Sequence, residues 1–291
     1  MDCRRSINYT LICGVDRRHL RQLHWTWPTW KLHKPSLLQM PMIVFYDRES
    51  LTRSDIQAIV DHPRLTAVPW PPENVEYRDG VDKWHGRQRK KMLSGFVHVA
   101  AQHVTSHWYL KLDTDVVATG QDDWIDPEWF ADDPGIVSHP WGYTKPPYQM
   151  ALLDEWVRDC RHMLTMLHET APLHLIPGPG ASLLKHPRII SWCGFFSTSL
   201  TRLASQLAID TCGPGQLPVP SQDGYLWYLA ARLSRPIKRI QMKRRGWQHW
   251  SSDQNVEHYA REAMASVDGF IPSPSGASDQ AGSRNRQKGG K

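Results

Sequence analysis

The stretch His107-Trp-Tyr-Leu-Lys-Leu112, running straight into Asp113-Thr114-Asp115, decides how this chain is read. The first six residues are the composition of a buried strand. Side chains two apart on a strand point the same way, so Asp113 and Asp115 can present two carboxylates to one spot while Thr114 faces elsewhere. Two carboxylates that close repel each other, and a hard divalent cation removes that cost. Mg²⁺ or Mn²⁺ is typically held by one or two carboxylates together with substrate phosphates. Open α/β sheets bind ligands at the carboxyl ends of their strands, which is where this pair sits. An isolated D-x-D is also what a solvated acidic turn looks like; the apolar strand before it gives the motif weight.

Working outward, short apolar runs alternate with helical periodicity, the pattern of a layered α/β domain. Strands are expected at Ile7–Val15, Met42–Tyr46, Leu65–Val68, Ile136–His139, Ile189–Phe196 and Ile237–Met242. A helix is expected from Arg17 toward Trp25, stopping near Pro28. Thr52-Arg-Ser-Asp55 resembles a capping box opening a helix over Ile56 to Val60. From about Gly86 a long helix is indicated by Met92, Phe96, Val99 and His103, with Leu93, Val97 and Ala100 widening its apolar face. Further helices are expected over Gln149–His168 and Gln222–Leu233. Pro272 to Lys291 lacks apolar periodicity and reads as a disordered tail.

The 291 residues suit one large or two average domains, and the pattern favours a single α/β domain. Apolar residues make up 40% and charged ones 22%, which excludes a mostly disordered, collagen-like or coiled-coil chain. A net charge of +6 favours anionic partners: nucleotides, phosphates, nucleic acid or an acidic membrane face. Fourteen Trp residues offer stacking faces, although core filling accounts for most of them. Five cysteines with no C-x-x-C pair fit reduced thiols in a cytoplasmic protein. No apolar run reaches the roughly 20 residues of a membrane span. Ile7–Val15 after Arg4-Arg5 imitates a short leader but is broken by Asn8, Tyr9 and Thr10, so it is read as the first strand.

Trp-Tyr-Leu-Lys-Leu-Asp113-Thr-Asp115, at the end of alternating strands and helices, resembles the nucleotide-binding half of metal-dependent glycosyltransferases of the GT-A fold. The order of elements matches over roughly residues 7 to 250, with only the D-x-D neighbourhood sharp. The resemblance implies a Rossmann-like α/β/α sandwich with a mixed central sheet. A GT-A-like domain would span 1–270, its nucleotide-binding half about 1–120, its acceptor half about 121–270, and a tail 271–291. It implies transfer of a sugar from a nucleotide diphosphate sugar to a glycan, lipid-linked glycan or protein, with Mn²⁺ or Mg²⁺ as cofactor. Gly14, Asp16 and Asp47 map onto nucleotide contacts. Asp115 maps onto the metal, and Asp113 onto the metal or the ribose. Asp223 in Ser221-Gln-Asp223-Gly maps onto the base of an inverting transfer, with Gln222 standing where an acidic residue is common. His249 in Gly246-Trp-Gln-His249 maps onto a third metal ligand.

Other features carry their own readings. Arg87, Arg89, Lys90 and Lys91 could neutralise a diphosphate or form a solvated basic face; Arg87 and Lys91 are taken as donor contacts. Gly194-Phe-Phe before Ser197 reads as a buried strand before it reads as an acceptor wall, and Lys243-Arg-Arg245 as solvent-facing. Asp113-Thr-Asp115-Val-Val117 also satisfies the haloacid-dehalogenase-like pattern, with Asp113 as nucleophile. That motif normally opens its domain, and the later acidic pair is missing. A nucleic-acid binder using Arg235 to Trp250, with Trp247 and Trp250 as stacking platforms, is the non-catalytic alternative; nucleic acid is not the expected partner. Peripheral contact with an anionic membrane fits the basic charge.

Overall fold

The computed structural model describes residues 7–71, 87–140, 156, 189–218, 222–233 and 235–266, the side chains of 87–94, 189–191 and 232 excepted. Three parallel strands build one half of the sheet: β1 (Tyr9–Val15), β2 (Met42–Asp47) and β3 (Leu65–Trp70), with β2 between the other two. β4 (Trp108–Leu112) lies on the other side of β1, parallel to it, with Ile12 opposite Lys111. Beyond β4 the direction reverses. β7 (Ile189–Ser197) runs antiparallel to β4 and to β6 (Ile136–Pro140), and β8 (Ile237–Arg239) closes the edge parallel to β6. The order β3-β2-β1-β4-β7-β6-β8 is the mixed central sheet expected from the sequence.

Helices cover both faces. α1 (Arg17–His33) packs on the side that buries Leu11, Cys13, Leu110 and Leu112. α3 (Arg87–His103), α4 (Thr198–Cys212) and α5 (Gln222–Arg232) pack on the side that buries Ile12, Tyr109 and Phe196. The short α2 (Arg53–Gln57) opens on the expected capping box. Thr52 N–H donates to Asp55 Oδ2 at 2.7 Å, and Asp55 N–H donates to Thr52 Oγ1 at 3.3 Å. On α3, Phe96, Val97, Val99 and Ala100 are buried as expected, whereas His103 ends the helix in solvent.

Several boundaries differ from the sequence reading for identifiable reasons. α1 does not stop at Pro28. Proline removes one helical hydrogen bond, and burial of Trp30 beyond it outweighs the loss. The expected strand Ile237–Met242 ends at Arg239, because Met242 N–H and Arg244 N–H turn back onto Ile240 and Gln241 and fold Met242–Arg245 into a 3₁₀ turn. It is not the last strand either. β5 (Val116–Ala118) and β9 (Trp247–His249) form a separate two-stranded antiparallel sheet. α6 (Asp253–Ala265), which the sequence reading passed over along with α4, packs against α1 and β5. The helix expected over Gln149–His168 lies outside the described residues apart from Trp156, which is helical and buried. The tail 271–291 lies wholly outside them. None of the described helices is long and apolar enough to cross a membrane.

The two-stranded sheet is pinned by Trp247, which is fully buried between Trp30 and Trp124, with ring centroids 6.5 and 5.0 Å away. Trp250 stacks on Tyr259 of α6 at 3.6 Å. Trp247 is not free to stack on a base, which corrects its reading as a nucleic-acid platform, and Tyr259 covers one face of the partly buried Trp250. Gly194, Phe195 and Phe196 are buried in β7, as the strand reading had it. The turn into β9 depends on Gly246, whose φ is +78° and whose carbonyl accepts from Thr119 N–H at 2.7 Å; an added Cβ would collide with the Thr119 carbonyl. Gly246→Ala is expected to lower stability by about 1–3 kcal/mol through backbone strain, read by urea unfolding. A change below about 0.5 kcal/mol would contradict this account of the turn.

Candidate metal centre

Asp113 and Asp115 leave the sheet at the carboxyl end of β4. Parallel pairing puts the ends of β1 and β2 on the same edge, so Gly14, Asp16, Asp47 and Asp113 share one rim of the sheet. β5 follows at once, and its register with β9 sets Val116 opposite His249. Trp250 N–H donates to the Asp115 carbonyl at 3.1 Å, extending the ladder. A residue 134 positions away is thereby delivered beside the D-x-D pair. His249 Nε2 lies 3.3 Å from Asp115 Oδ2, and its ring stacks on Trp192, centroids 5.7 Å apart and 17° from parallel.

One ligand atom each from Asp113, Asp115 and His249 falls within a 4.8 Å span. The other oxygen of Asp115, Oδ1, is buried with no hydrogen-bond partner among the described residues. A buried carboxylate oxygen left unsatisfied costs free energy, and a bound cation would supply what it lacks. Two carboxylates and an imidazole suit Mn²⁺ or Mg²⁺ in donor type, with the imidazole favouring Mn²⁺. The residues therefore fit a divalent ion.

Charge in this region is dense. Lys111, on β4, is buried, and its Nζ lies 2.5 Å from Asp113 Oδ1. Burial pulls its pKa down, but the charges of Asp113 and Asp223 outweigh that and hold it above the ordinary lysine value. Burial pushes the Asp113 carboxyl up; Lys111 opposes the shift, and Asp115 and Asp223 add to it. Asp223, in the first turn of α5, thus lies within electrostatic reach of Lys111 and Asp113.

The support of the motif was not foreseen from the sequence. Thr26 Oγ1 donates to the Thr114 carbonyl at 2.9 Å, and Thr114 Oγ1 donates to Gln22 Oε1 at 2.9 Å. Ala118 N–H donates to Thr29 Oγ1 at 3.1 Å, and Trp30 Nε1–H donates to the Val116 carbonyl at 2.6 Å. Gln22 in turn donates to Asp253 of α6 at 2.7 Å, and Asp253 pairs with Arg18 at 3.0 Å. Gln22, Thr26, Thr29 and Trp30 recur at helical spacing. A polar stripe on the face of a helix that must be buried was the available signal.

The remaining sequence candidates have local partners. Asp16 caps α1, accepting from His19 N–H at 2.9 Å and lying 2.7 Å from His19 Nδ1. Asp47 accepts from Glu49 N–H at 3.2 Å and Ser50 Oγ at 2.9 Å, closing the turn after β2. Gly14 faces the Phe45 ring so closely that a Cβ would overlap it, a packing reason for glycine independent of any ligand. Arg87 and Lys91 lie on the first turns of α3, their side chains outside the described residues.

No model of a known protein family matches the sequence, and a search of curated proteins returns no relative. Solved structures do resemble the fold. An active-site mutant of LgtC aligns over 90% of this chain and 97% of its own at 8% identity, with a TM-score of 0.52. The core-mannan synthase CmsA/Ktr4 of Aspergillus fumigatus, in a Mn/GDP form, aligns over 92% of this chain and 87% of its own at 12% identity and a TM-score of 0.52. The mannosyltransferase Ktr4p of S. cerevisiae, in complex with GDP, covers 78% of this chain and 66% of its own at 11% identity, with a TM-score of 0.50. These are glycosyltransferases of the GT-A fold, and the chain shares that fold, as expected from the sequence.

The site generates a pH expectation. Burial lowers the His249 pKa, but its hydrogen bond to Asp115 and the charges of Asp115 and Asp113 more than reverse this, leaving it above the ordinary histidine value of about 6.5. In the metal-free protein this pair contributes stability below the unfolded-state pKa, lost as pH rises through the raised folded-state value. Only neutral imidazole ligates, so Mn²⁺ affinity should fall as pH drops through that same raised value. His249→Ala should weaken Mn²⁺ binding at least about tenfold at pH 8 and remove this pH dependence. Mn²⁺ titrations from pH 6 to 8.5 check it; unchanged affinity in His249→Ala would make the histidine structural.

Proposed function

We propose that this chain is a metal-dependent glycosyltransferase that moves a sugar from a nucleotide diphosphate sugar to an acceptor hydroxyl. The observation that carries the reading is the convergence of Asp113, Asp115 and His249 at the carboxyl end of β4, with a buried Asp115 oxygen that lacks a partner. The shared fold and the GDP held by two of the structural neighbours support it.

Asp113, Asp115 and His249 would hold Mn²⁺ or Mg²⁺, which when bound neutralises the diphosphate as it leaves. The rim formed by Gly14, Asp16 and Asp47 is assigned to the nucleoside, with Arg87 and Lys91 of α3 assigned to the phosphates. Asp16 and Asp47 would then serve two ends, since both already brace turns. The Trp192 face holds the His249 ring in one orientation, so the ligating nitrogen is aimed before any metal arrives.

Asp223 is assigned as the base of an inverting transfer. An acceptor hydroxyl is a poor nucleophile, and a carboxylate within about 2.6–3.2 Å can take its proton as the new bond forms, contributing roughly 10²–10⁴ in rate. Its support is position: the first turn of α5 sets it beside the same charged centre as Asp113 and Lys111. Glycans, lipid-linked glycans and protein hydroxyls all meet the chemistry required of the acceptor.

A panel of nucleotide diphosphates, with and without Mn²⁺, tests the reading. A true ligand at about 100 times its Kd should add roughly 2.7 kcal/mol of stability, and only when metal is present. Asp115→Ala should abolish this gain together with donor turnover. Asp223→Asn should keep donor binding while kcat falls at least about a hundredfold. Turnover that survives both chelation and Asp115→Ala would contradict the assignment, and a product retaining the donor's anomeric configuration would remove Asp223 as the base.

A further inference from the structure

Lys111 is a charged residue in the middle of a strand whose neighbours are all buried. On β4, Tyr109, Lys111 and Asp113 share one face, the face that packs against α3 and α5. The Lys111 stem enters the apolar layer, its Nζ 5.5 Å from the centroid of Phe96, and the residue is 5% exposed. Taking an ammonium out of water costs several kcal/mol unless opposite charge meets it. Here the opposite charge is the Asp113 carboxylate, the very group that would ligate a metal. The same ammonium also lies within electrostatic reach of Asp115 and Asp223. Among the described residues, three carboxylates therefore lie within reach of the fixed Lys111 ammonium, and a divalent ion entering the cluster must share Asp113 with it.

Building on the metal site proposed above, we propose that Lys111 is a resident counter-cation of that site. Its ammonium holds Asp113 and stabilises the acidic cluster when no metal is bound, and it opposes metal binding by occupying part of the same negative field. Folding is thereby made independent of metal, and the metal is kept exchangeable. Lys111 is a positioning residue: it acts through Asp113. A merely structural lysine would change stability and leave metal affinity alone.

The test is a titration of Mn²⁺ alone into the full chain, with free Mn²⁺ followed by its paramagnetic resonance signal. It is run on the wild type, Asp115→Ala, Lys111→Met and Lys111→Gln; the last keeps a polar donor without charge. Both Lys111 variants should melt at lower temperature than wild type without metal, yet bind Mn²⁺ at least about tenfold more tightly, since a nearby like charge has been removed. Variants that fold only when Mn²⁺ is added also support the proposal. Equal or weaker Mn²⁺ affinity in the variants that fold overturns it. Variants that stay unfolded at saturating Mn²⁺ overturn it as well. In either case binding by wild type and not by Asp115→Ala leaves the metal site standing. No Mn²⁺ binding by wild type overturns the metal site and this proposal together.

Discussion

The cost of holding Asp113, Asp115 and Asp223 near one another, each only partly exposed to water, is the constraint around which this end of the molecule is organised. Like charges at such range repel strongly in a medium less polarisable than water. The chain meets part of that cost itself. Lys111 stands 2.5 Å from Asp113, and His249 stands 3.3 Å from Asp115 with its pKa raised so that it can share a proton with that carboxylate. What remains is an acidic centre with one buried oxygen still unpartnered among the described residues. A protein can keep such a centre only if the backbone carrying it is held firmly.

That firmness comes from outside the sheet. The segment 114–118 is gripped along its length by the polar stripe of α1, in which Thr26, Thr29, Gln22 and Trp30 take up main-chain and side-chain groups of the motif. Each such buried hydrogen bond contributes only about 1 kcal/mol net, but leaving its partner unmet would cost more. The two-stranded sheet then uses the fixed segment as a template. Trp247, caged by Trp30 and Trp124, locks β9 in register, and His249 follows two residues later on the acidic side. Core packing and site geometry are thus the same set of contacts, and a change at Trp30 reaches both.

Most of the sheet was legible because its strands are apolar runs with clear punctuation; β1, β2, β4, β6 and β7 fall where hydrophobicity placed them. The D-x-D pair and His249 were legible through chemistry and a family resemblance. The pairing that joins them was not, because β5 and β9 are three residues each and their register depends on contacts over a hundred residues apart. The continuation of α1 past Pro28 was hidden for a related reason: local propensity argued for a stop, and Trp30 decides otherwise only once Trp247 is in place. Trp247 and Trp250 read as exposed platforms because a sequence of alternating basic and aromatic residues does not say which side faces inward. Lys111 stood in plain view within the strand, and only its burial gives it meaning.

The central claim is that one divalent cation sits among Asp113, Asp115 and His249. Anomalous diffraction from a crystal of the wild-type chain soaked in Mn²⁺ tests it most directly. The account expects a single strong manganese peak within coordination distance of an oxygen from each aspartate and of His249 Nε2. A peak held by other residues, or none at this centre with manganese in excess, would contradict it.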